Sequence, residues 1–176
     1  MSNYVSDKVI IVTGAGGGFG RLVCQKASAL GAKLICVDID KAAVEETASL
    51  ITSEVYTASP FVANVANLTE MQAVAAEAIK QHGAIDVMVN NAGTMPLAFF
   101  ADHAAAAEAW SRCIDVNIKG VLNGIGAVYD QMMKQGRGHV VNLSSIYGNF
   151  PVIGAGVYGA TKTAVNFLSE SPRVEA

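Results

Sequence analysis

The chain has 176 residues, 52% of them hydrophobic, and sets 12 Lys and Arg against 15 Asp and Glu for a formal charge of -3. That length and apolar content suit one α/β domain with a substantial core and leave no room for two of ordinary size. The basic residues are scattered, so there is no electrostatic footprint for nucleic acid or an anionic membrane, and small molecules are the expected partners.

The opening octet, Met1 to Lys8, has no apolar h-region and runs straight into a strand, so no secretory signal is expected and the chain is assigned to the cytoplasm. Val9-Ile10-Ile11-Val12 is apolar and β-branched throughout, the signature of a buried parallel strand. Thr13-Gly14-Ala15-Gly16-Gly17-Gly18-Phe19-Gly20 follows, and then a helix over Arg21 to Leu30 with Leu22, Val23, Ala27 and Leu30 at helical spacing and Gly31 as its stop. The glycines therefore occupy a strand-to-helix turn. Backbone without Cβ atoms can approach an anion there, and the first N–H groups of the helix point at it.

Lys33-Leu34-Ile35-Cys36-Val37 is a second strand, closed by Asp38. An acid about twenty residues beyond such a turn accepts hydrogen bonds from an adenosine ribose and repels a 2′-phosphate, which favours NAD over NADP. The plainer role for Asp38 and Asp40 is to cap the next helix, which the pattern Val44, Ala48, Ile51 sets at Lys41 to Ser53. Phe61-Val62-Ala63-Asn64-Val65 reads as a third strand with Pro60 at its entry. A helix over Leu68 to Gln81 and a fourth strand, Ile85 to Val89, lead into Asn90-Asn91-Ala92-Gly93. A long helix is expected from about Ala104 through Lys134, and His139 to Leu143 is the fifth strand.

Strands alternating with helices of this length pair in parallel through right-handed crossovers. The fold class is therefore α/β, a doubly wound parallel sheet, with its ligand crevice outside the carboxyl ends of the strands. Asp38, Asn64, Asn90 and Ser144-Ser145 all fall at that edge. Cys24, Cys36 and Cys113 are odd in number and widely spaced, and read as reduced core residues. His82, His103 and His139 show no metal-ligand spacing, so no metal is expected. The charge-free run Val140 to Thr161 carries Asn142, Ser144, Ser145, Asn149 and Pro151, and is not a membrane helix. Trp110 and Phe99-Phe100 read as packing or interface residues.

Tyr158-Gly159-Ala160-Thr161-Lys162 opens the last helical segment. Residues four apart share a helix face, so a phenol and an ammonium can address one site. An ordinary phenol is about a thousandfold short of phenolate at pH 7. A cation about 5 Å away contributes roughly 3 kcal/mol at an effective dielectric near 20, enough to bring proton exchange toward neutrality. Tyr147 has no base four places on and reads as a wall of the pocket.

Together these stretches resemble the short-chain dehydrogenase/reductase family. Thr13-Gly14, Gly18 and Gly20 match its Thr-Gly-x-x-x-Gly-x-Gly, Asn90 to Gly93 its Asn-Asn-Ala-Gly, and Tyr158 and Lys162 its Tyr-x-x-x-Lys, with Ser145 thirteen residues before Tyr158. The resemblance runs from about Ser6 to Glu175. It implies a hydride-transferring oxidoreductase acting between NAD(H) and a secondary alcohol or ketone, with a catalytic tetrad of Asn117, Ser145, Tyr158 and Lys162. Tyr158 would be the acid/base, Ser145 would hold the substrate oxygen, Lys162 would bind the nicotinamide ribose and Asn117 would hold a proton-relaying water. Gly14, Gly18, Phe19, Gly20, Asp38, Asn64, Val65, Asn91, Ala92 and Gly93 would line the cofactor, with Tyr158 and Lys162. Asn64 departs from the acid usual before the valine. The family also implies a homodimer or homotetramer built on the helices around Asn117 and Tyr158.

The family continues beyond this helix into further strands and a substrate segment. The 176 residues are therefore expected to be one Rossmann domain, incomplete at its C-terminus, in which either the last helix ends near Ser171 before Pro172 or the tail is not native-like. A non-catalytic nucleotide-binding or regulatory fragment is the alternative reading. A Rossmann-like methyltransferase would leave Ser145, Tyr158 and Lys162 without a reason. Met95, Pro96, Leu97, Phe150 and Pro151 hint at a hydrophobic alcohol.

Overall fold

Five strands pair in parallel in the order β3-β2-β1-β4-β5, and helices cover both faces of the sheet, in a computed structural model that describes residues 4–52 and 57–175. In chain order they are β1 (Val9–Thr13), α1 (Gly18–Ala29), β2 (Lys33–Asp38), α2 (Lys41–Ile51), β3 (Thr57–Val62), α3 (Leu68–His82), β4 (Val87–Asn90), α4 (His103–Ile114), α5 (Gly120–Gln135), β5 (His139–Asn142) and α6 (Gly156–Glu175). This is the Rossmann-type sheet expected from the alternation of elements.

Successive side chains of a strand point to opposite faces, so β1 serves two cores. Ile10 and Val12 pack with Cys24, Leu34, Cys36 and Val44 under α1 and α2. Ile11 packs on the other face with Ile35, Met71, Val74, Met88 and Val128, under α3 and α5. At the opposite end from the crevice the buried carboxylate of Asp86 ties three strands together. It accepts the Val9 N–H at 3.0 Å and the Arg137 Nε–H at 3.0 Å, with Lys8 Nζ at 3.7 Å. Burial pushes its carboxyl up, but the Val9 bond and the two cations outweigh that and hold it below the ordinary carboxylate range.

The third strand corrects the sequence expectation. It spans Thr57–Val62, not Phe61 to Val65, and Pro60 lies inside it, opposite Cys36. As an edge strand β3 pairs only with β2, so a missing N–H can face away from the ladder. Asn64 and Val65 consequently sit in the turn before α3. β4 begins two residues later than expected and reaches Asn90.

The long helix is one body with a π turn, Asp115–Lys119, between α4 and α5. The reason is in the buried stripe, Cys113, Asn117, Val121, Gly124, Val128 and Met132. Five steps of that stripe take 19 residues, whereas five turns of ideal α-helix take about 18. The wide turn absorbs the extra residue and keeps the stripe in line. The backbone of α6 stays helical to Glu175, past Pro172, instead of stopping near Ser171. The three cysteines are buried and free. Among the described residues no helix is long and apolar enough to cross a membrane.

Candidate active site

The glycine turn is shaped by close approaches. Gly14 and Gly18 have φ of +65° and +50°, the left-handed region that glycine adopts without strain. A Cβ on Gly20 would overlap the Gly14 carbonyl and lie 2.7 Å from Asn91 Nδ2. A Cβ on Gly16 would lie 2.9 Å from Asp38 Oδ2, the atom that accepts the Gly16 N–H at 2.8 Å. By contrast Gly17 and Gly18 face open space, and Gly17 starts α1 with no side-chain cap. The result is a Cβ-free cradle over an uncapped helix N-terminus, which suits a phosphate group.

Asp38 is therefore not a helix cap. Its Oδ2 holds Gly16 and its Oδ1 accepts the Asp40 N–H at 3.0 Å, while Asp40 caps α2 by accepting the Ala43 N–H at 3.1 Å. Arg21, which the sequence reading left as an ordinary helix residue, braces the turn from behind. Its guanidinium donates to the Gly16 carbonyl at 2.6 Å and to Thr47 Oγ1 at 2.9 Å, and Thr47 Oγ1 donates to the Ala15 carbonyl at 2.8 Å. No local spacing announces that brace, because it joins α1 to α2.

Past β4, Asn91 Nδ2 donates to the Thr13 carbonyl at 2.8 Å and the Gly14 carbonyl at 3.2 Å. The Asn91 and Ala92 N–H groups both donate to Thr13 Oγ1 at 3.1 Å. Asn91 and Ala92 thus fasten the end of β4 to the glycine turn. Gly93 carries the line to the chemistry: a Cβ there would lie 3.3 Å from Asn117 Oδ1 and 3.7 Å from Lys162 Nζ.

Asn117 is fully buried on the π turn. Its Oδ1 accepts the Thr94 N–H at 2.9 Å, and its Nδ2 donates to the Thr94 carbonyl and to Thr161 Oγ1, each at 3.0 Å, and to Cys113 Sγ at 3.3 Å. Lys162 is 4% exposed, yet among the described residues its Nζ donates to a single acceptor, the Leu143 carbonyl at 2.7 Å. Burial pushes its ammonium pKa down. The same nitrogen stands 5.8 Å from the centroid of the Tyr158 ring, so phenol and amine lie on one side of α6. Ser145 Oγ accepts the Tyr147 N–H at 3.2 Å and opens the short turn Ile146–Gly148. Two glycines seat that turn on α6: a Cβ on Gly159 would be 2.8 Å from the Tyr147 carbonyl, and one on Gly148 2.9 Å from the Lys162 backbone. The Tyr147 ring then meets Tyr158 edge to face, with centroids 6.1 Å apart.

The fold therefore gathers Asn117, Tyr158 and Lys162 with Gly93, and seats on α6 the turn that Ser145 opens, with Tyr147 against Tyr158. It does not bond Asn64 or Val65 to this group. Asn64 Oδ1 accepts the Ala66 N–H at 3.0 Å, and the Val65 carbonyl accepts from Asn123 Nδ2 at 2.8 Å. Phe19 stands exposed beside the cradle. Thr94, Cys113 and Thr161 were missed, and only Thr161, lying between Tyr158 and Lys162, had any signal. Among the described residues no three of His, Cys, Asp and Glu come together as a metal site. Phe100 packs on Trp110 with ring centroids 5.5 Å apart.

The family described as short chain dehydrogenase matches residues 8–176. An uncharacterized oxidoreductase of Staphylococcus saprophyticus is 38% identical over 173 residues, which is 98% of this chain and 69% of that protein. A short-chain dehydrogenase/reductase from Burkholderia phymatum, solved with NAD, superposes with a TM-score of 0.93 at 30% identity, covering 100% of this chain and 62% of that one. A metagenomic short-chain oxidoreductase solved with NADP has a TM-score of 0.90 at 29% identity, covering 99% of this chain and 78% of that one. This chain thus spans under two thirds of the Burkholderia protein and about two thirds of the staphylococcal one. With the model of that family matching residues 8–176, the chain belongs to the short-chain dehydrogenase family.

Proposed function

We propose that this protein transfers a hydride between a nicotinamide dinucleotide, NAD(H) in preference to NADP(H), and a secondary alcohol or ketone, with Tyr158 as the acid/base. The observation that carries the reading is the buried Lys162 ammonium, 5.8 Å from the Tyr158 ring and next to Gly93 at the mouth of the glycine crevice. Relatives solved with NAD and with NADP support the cofactor class.

The residues fit such a cofactor. The cradle of Gly14, Gly18 and Gly20, beside Phe19, would take the pyrophosphate at the α1 N-terminus. Asp38 would meet the adenosine ribose, and its charge opposes a 2′-phosphate there. Asn64 and Val65 would border the adenine, and Asn91, Ala92 and Gly93 would carry the floor toward the nicotinamide. Lys162 has ammonium protons to spare for ribose hydroxyls. Bound there, the nicotinamide supplies hydride transfer to or from the substrate carbon.

Oxidation of a secondary alcohol removes a hydride from carbon and a proton from oxygen. Tyr158 Oη takes that proton, and in the reverse direction returns it to the ketone oxygen. Lys162 Nζ, 5.8 Å from the ring, places a positive charge beside that proton exchange. Ser145 Oγ still has a proton to donate to the substrate oxygen, since it acts only as acceptor toward Tyr147. Asn117 has spent its side chain on Thr94, Thr161 and Cys113, so the relaying water would be held by backbone at the π turn, where widened helical geometry leaves carbonyl capacity.

Leu122, Tyr129 and Met133 on α5 and Phe167 on α6 are exposed, which supports self-association through these helices into a dimer or tetramer. The test of the chemistry is NADH-linked absorbance across a panel of secondary alcohols and ketones. Tyr158→Phe is expected to lose at least 10³-fold in kcat while binding NADH normally. Retained turnover in that variant ends the mechanism, and NADH binding with no turnover on any substrate favours a nucleotide-binding role instead.

A further inference from the structure

The peptide between Ala15 and Gly16 is held at both ends by side chains. Thr47, buried on α2, receives the Arg21 Nε–H at 2.9 Å, and its hydroxyl has the Ala15 carbonyl at 2.8 Å as the nearer of two acceptors, the other being the Ala43 carbonyl at 3.1 Å. The N–H at the far end of that same peptide donates to Asp38 Oδ2 at 2.8 Å. A trans peptide unit is planar, with its C=O and N–H directed oppositely, so fixing one end aims the other. Thr47 thus aims the Gly16 N–H at the Asp38 carboxylate.

Arg21 closes the clamp one peptide later. Its Nη2 donates to the Gly16 carbonyl at 2.6 Å and also meets Glu46. The Ala15 N–H donates to the Val37 carbonyl at 3.0 Å, which fastens the same stretch to β2. The fit is close enough that a Cβ on Gly16 would lie 2.8 Å from the Ala43 Cβ. Asp38 Oδ1 accepts the Asp40 N–H at 3.0 Å, so each carboxylate oxygen carries one N–H and keeps acceptor capacity for a ligand. A carboxylate free to turn could swing away from a second negative charge. One held from both sides keeps its repulsion, and discrimination then depends on what holds it.

Resting on the dinucleotide reading of the glycine turn, but not on the chemistry at Tyr158, we propose that Thr47 and Arg21 are positioning residues for cofactor choice. Acting through Gly16, they hold the Asp38 carboxylate where it binds a ribose and repels a 2′-phosphate.

The ratio of NADPH to NADH affinity, from fluorescence titration of the full chain, reads this out without any substrate. Thr47→Val keeps the shape and removes the hydroxyl, and should raise the ratio about fivefold. Thr47→Ser should stay within about twofold of the wild type. Arg21→Lys keeps the charge without the guanidinium fork, and should raise the ratio about threefold. The decisive variant combines Thr47→Val with Asp38→Asn. Because both changes act through one carboxylate, the double variant should match Asp38→Asn alone within about twofold. Circular dichroism confirms that each variant is folded, and if Thr47→Val is not, Arg21→Lys with and without Asp38→Asn decides in its place. A lowered melting point with an unchanged ratio makes the clamp a matter of stability only and overturns the proposal. So does a double variant in which the two effects multiply. If the wild type binds NADH and the variants keep its ratio, the clamp assignment falls alone; if the wild type binds neither nucleotide, the dinucleotide reading falls with it.

Discussion

Asn117 Nδ2 donates to Thr161 Oγ1 at 3.0 Å, so the π turn and α6 share a hydrogen bond in the middle of the candidate site. Thr161 Oγ1 in turn donates to the Tyr158 carbonyl at 2.7 Å. The threonine is thus the link that sets the pitch of α6 against the residues that hold Thr94.

Thr161→Val keeps the shape and removes the hydroxyl, leaving a buried amide proton of Asn117 without one of its acceptors. An unmet buried donor costs about 1–3 kcal/mol. The expected result is a lowered thermal midpoint and a fall of roughly tenfold in kcat as Tyr158 and Lys162 lose their register, with NADH binding weakened through Lys162. Thr161→Ser should restore both, which a role in packing alone would not produce.

Gly20→Ala and Gly17→Ala form a matched pair. At position 20 the new methyl meets the Gly14 carbonyl and Asn91, whereas at position 17, with φ of -166°, it meets nothing within 4 Å. Overpacking costs about 1–3 kcal/mol, so Gly20→Ala should melt earlier and lose NADH binding by fluorescence titration. The melting of Gly17→Ala in the absence of cofactor should be nearly unchanged.

Asp38→Asn keeps an oxygen for the Gly16 N–H but removes the charge. The turn should stay formed, and the ratio of NADP to NAD affinity should rise about tenfold or more, since a charge pair about 4 Å apart is worth roughly 4 kcal/mol before screening. An unchanged ratio would show that Asp38 acts on the loop and not on the ribose.

Asp86 predicts an acid-sensitive part of the stability. Its folded carboxyl is held below the ordinary value of 3.8, so the unfolded chain takes up a proton more readily in that window, and stability rises with pH across it. The contribution is complete above the ordinary value and is lost as pH falls through the depressed one. Urea midpoints at pH 6 and pH 3 should therefore drop further for the wild type than for Asp86→Asn, the asparagine variant being the weaker of the two at pH 6.

Much of this was readable from local pattern. Val9 to Val12 has no polar interruption, the glycines follow it directly, and Tyr158 and Lys162 are separated by one helical turn, so strand, turn and pair each announce themselves within a few residues. β3 did not, because an edge strand half in water can carry Ser59 and Pro60, and the apolar run that drew attention, Phe61 to Val65, only overlaps its end. The contacts of Asn117 with Thr94 and Thr161 bridge 23 and 44 positions. They arise only when α4, α6 and the loop after β4 have packed. Asp38 was placed correctly as a residue at the crevice edge, but its grip on Gly16 depends on how closely the turn folds back, which composition does not record.

The wide turn at Asp115–Lys119 is where this helix stores its surplus residue. Removing one position there would let ordinary α-geometry run through, and because five α-turns take about 18 residues, Cys113 at one end and Val121, Val128 and Met132 at the other would stay on one face. What would go is the widened turn itself, and with it the carbonyl capacity beside Asn117. The sheet would keep its cover while the proton-handling wall of the crevice lost its special backbone.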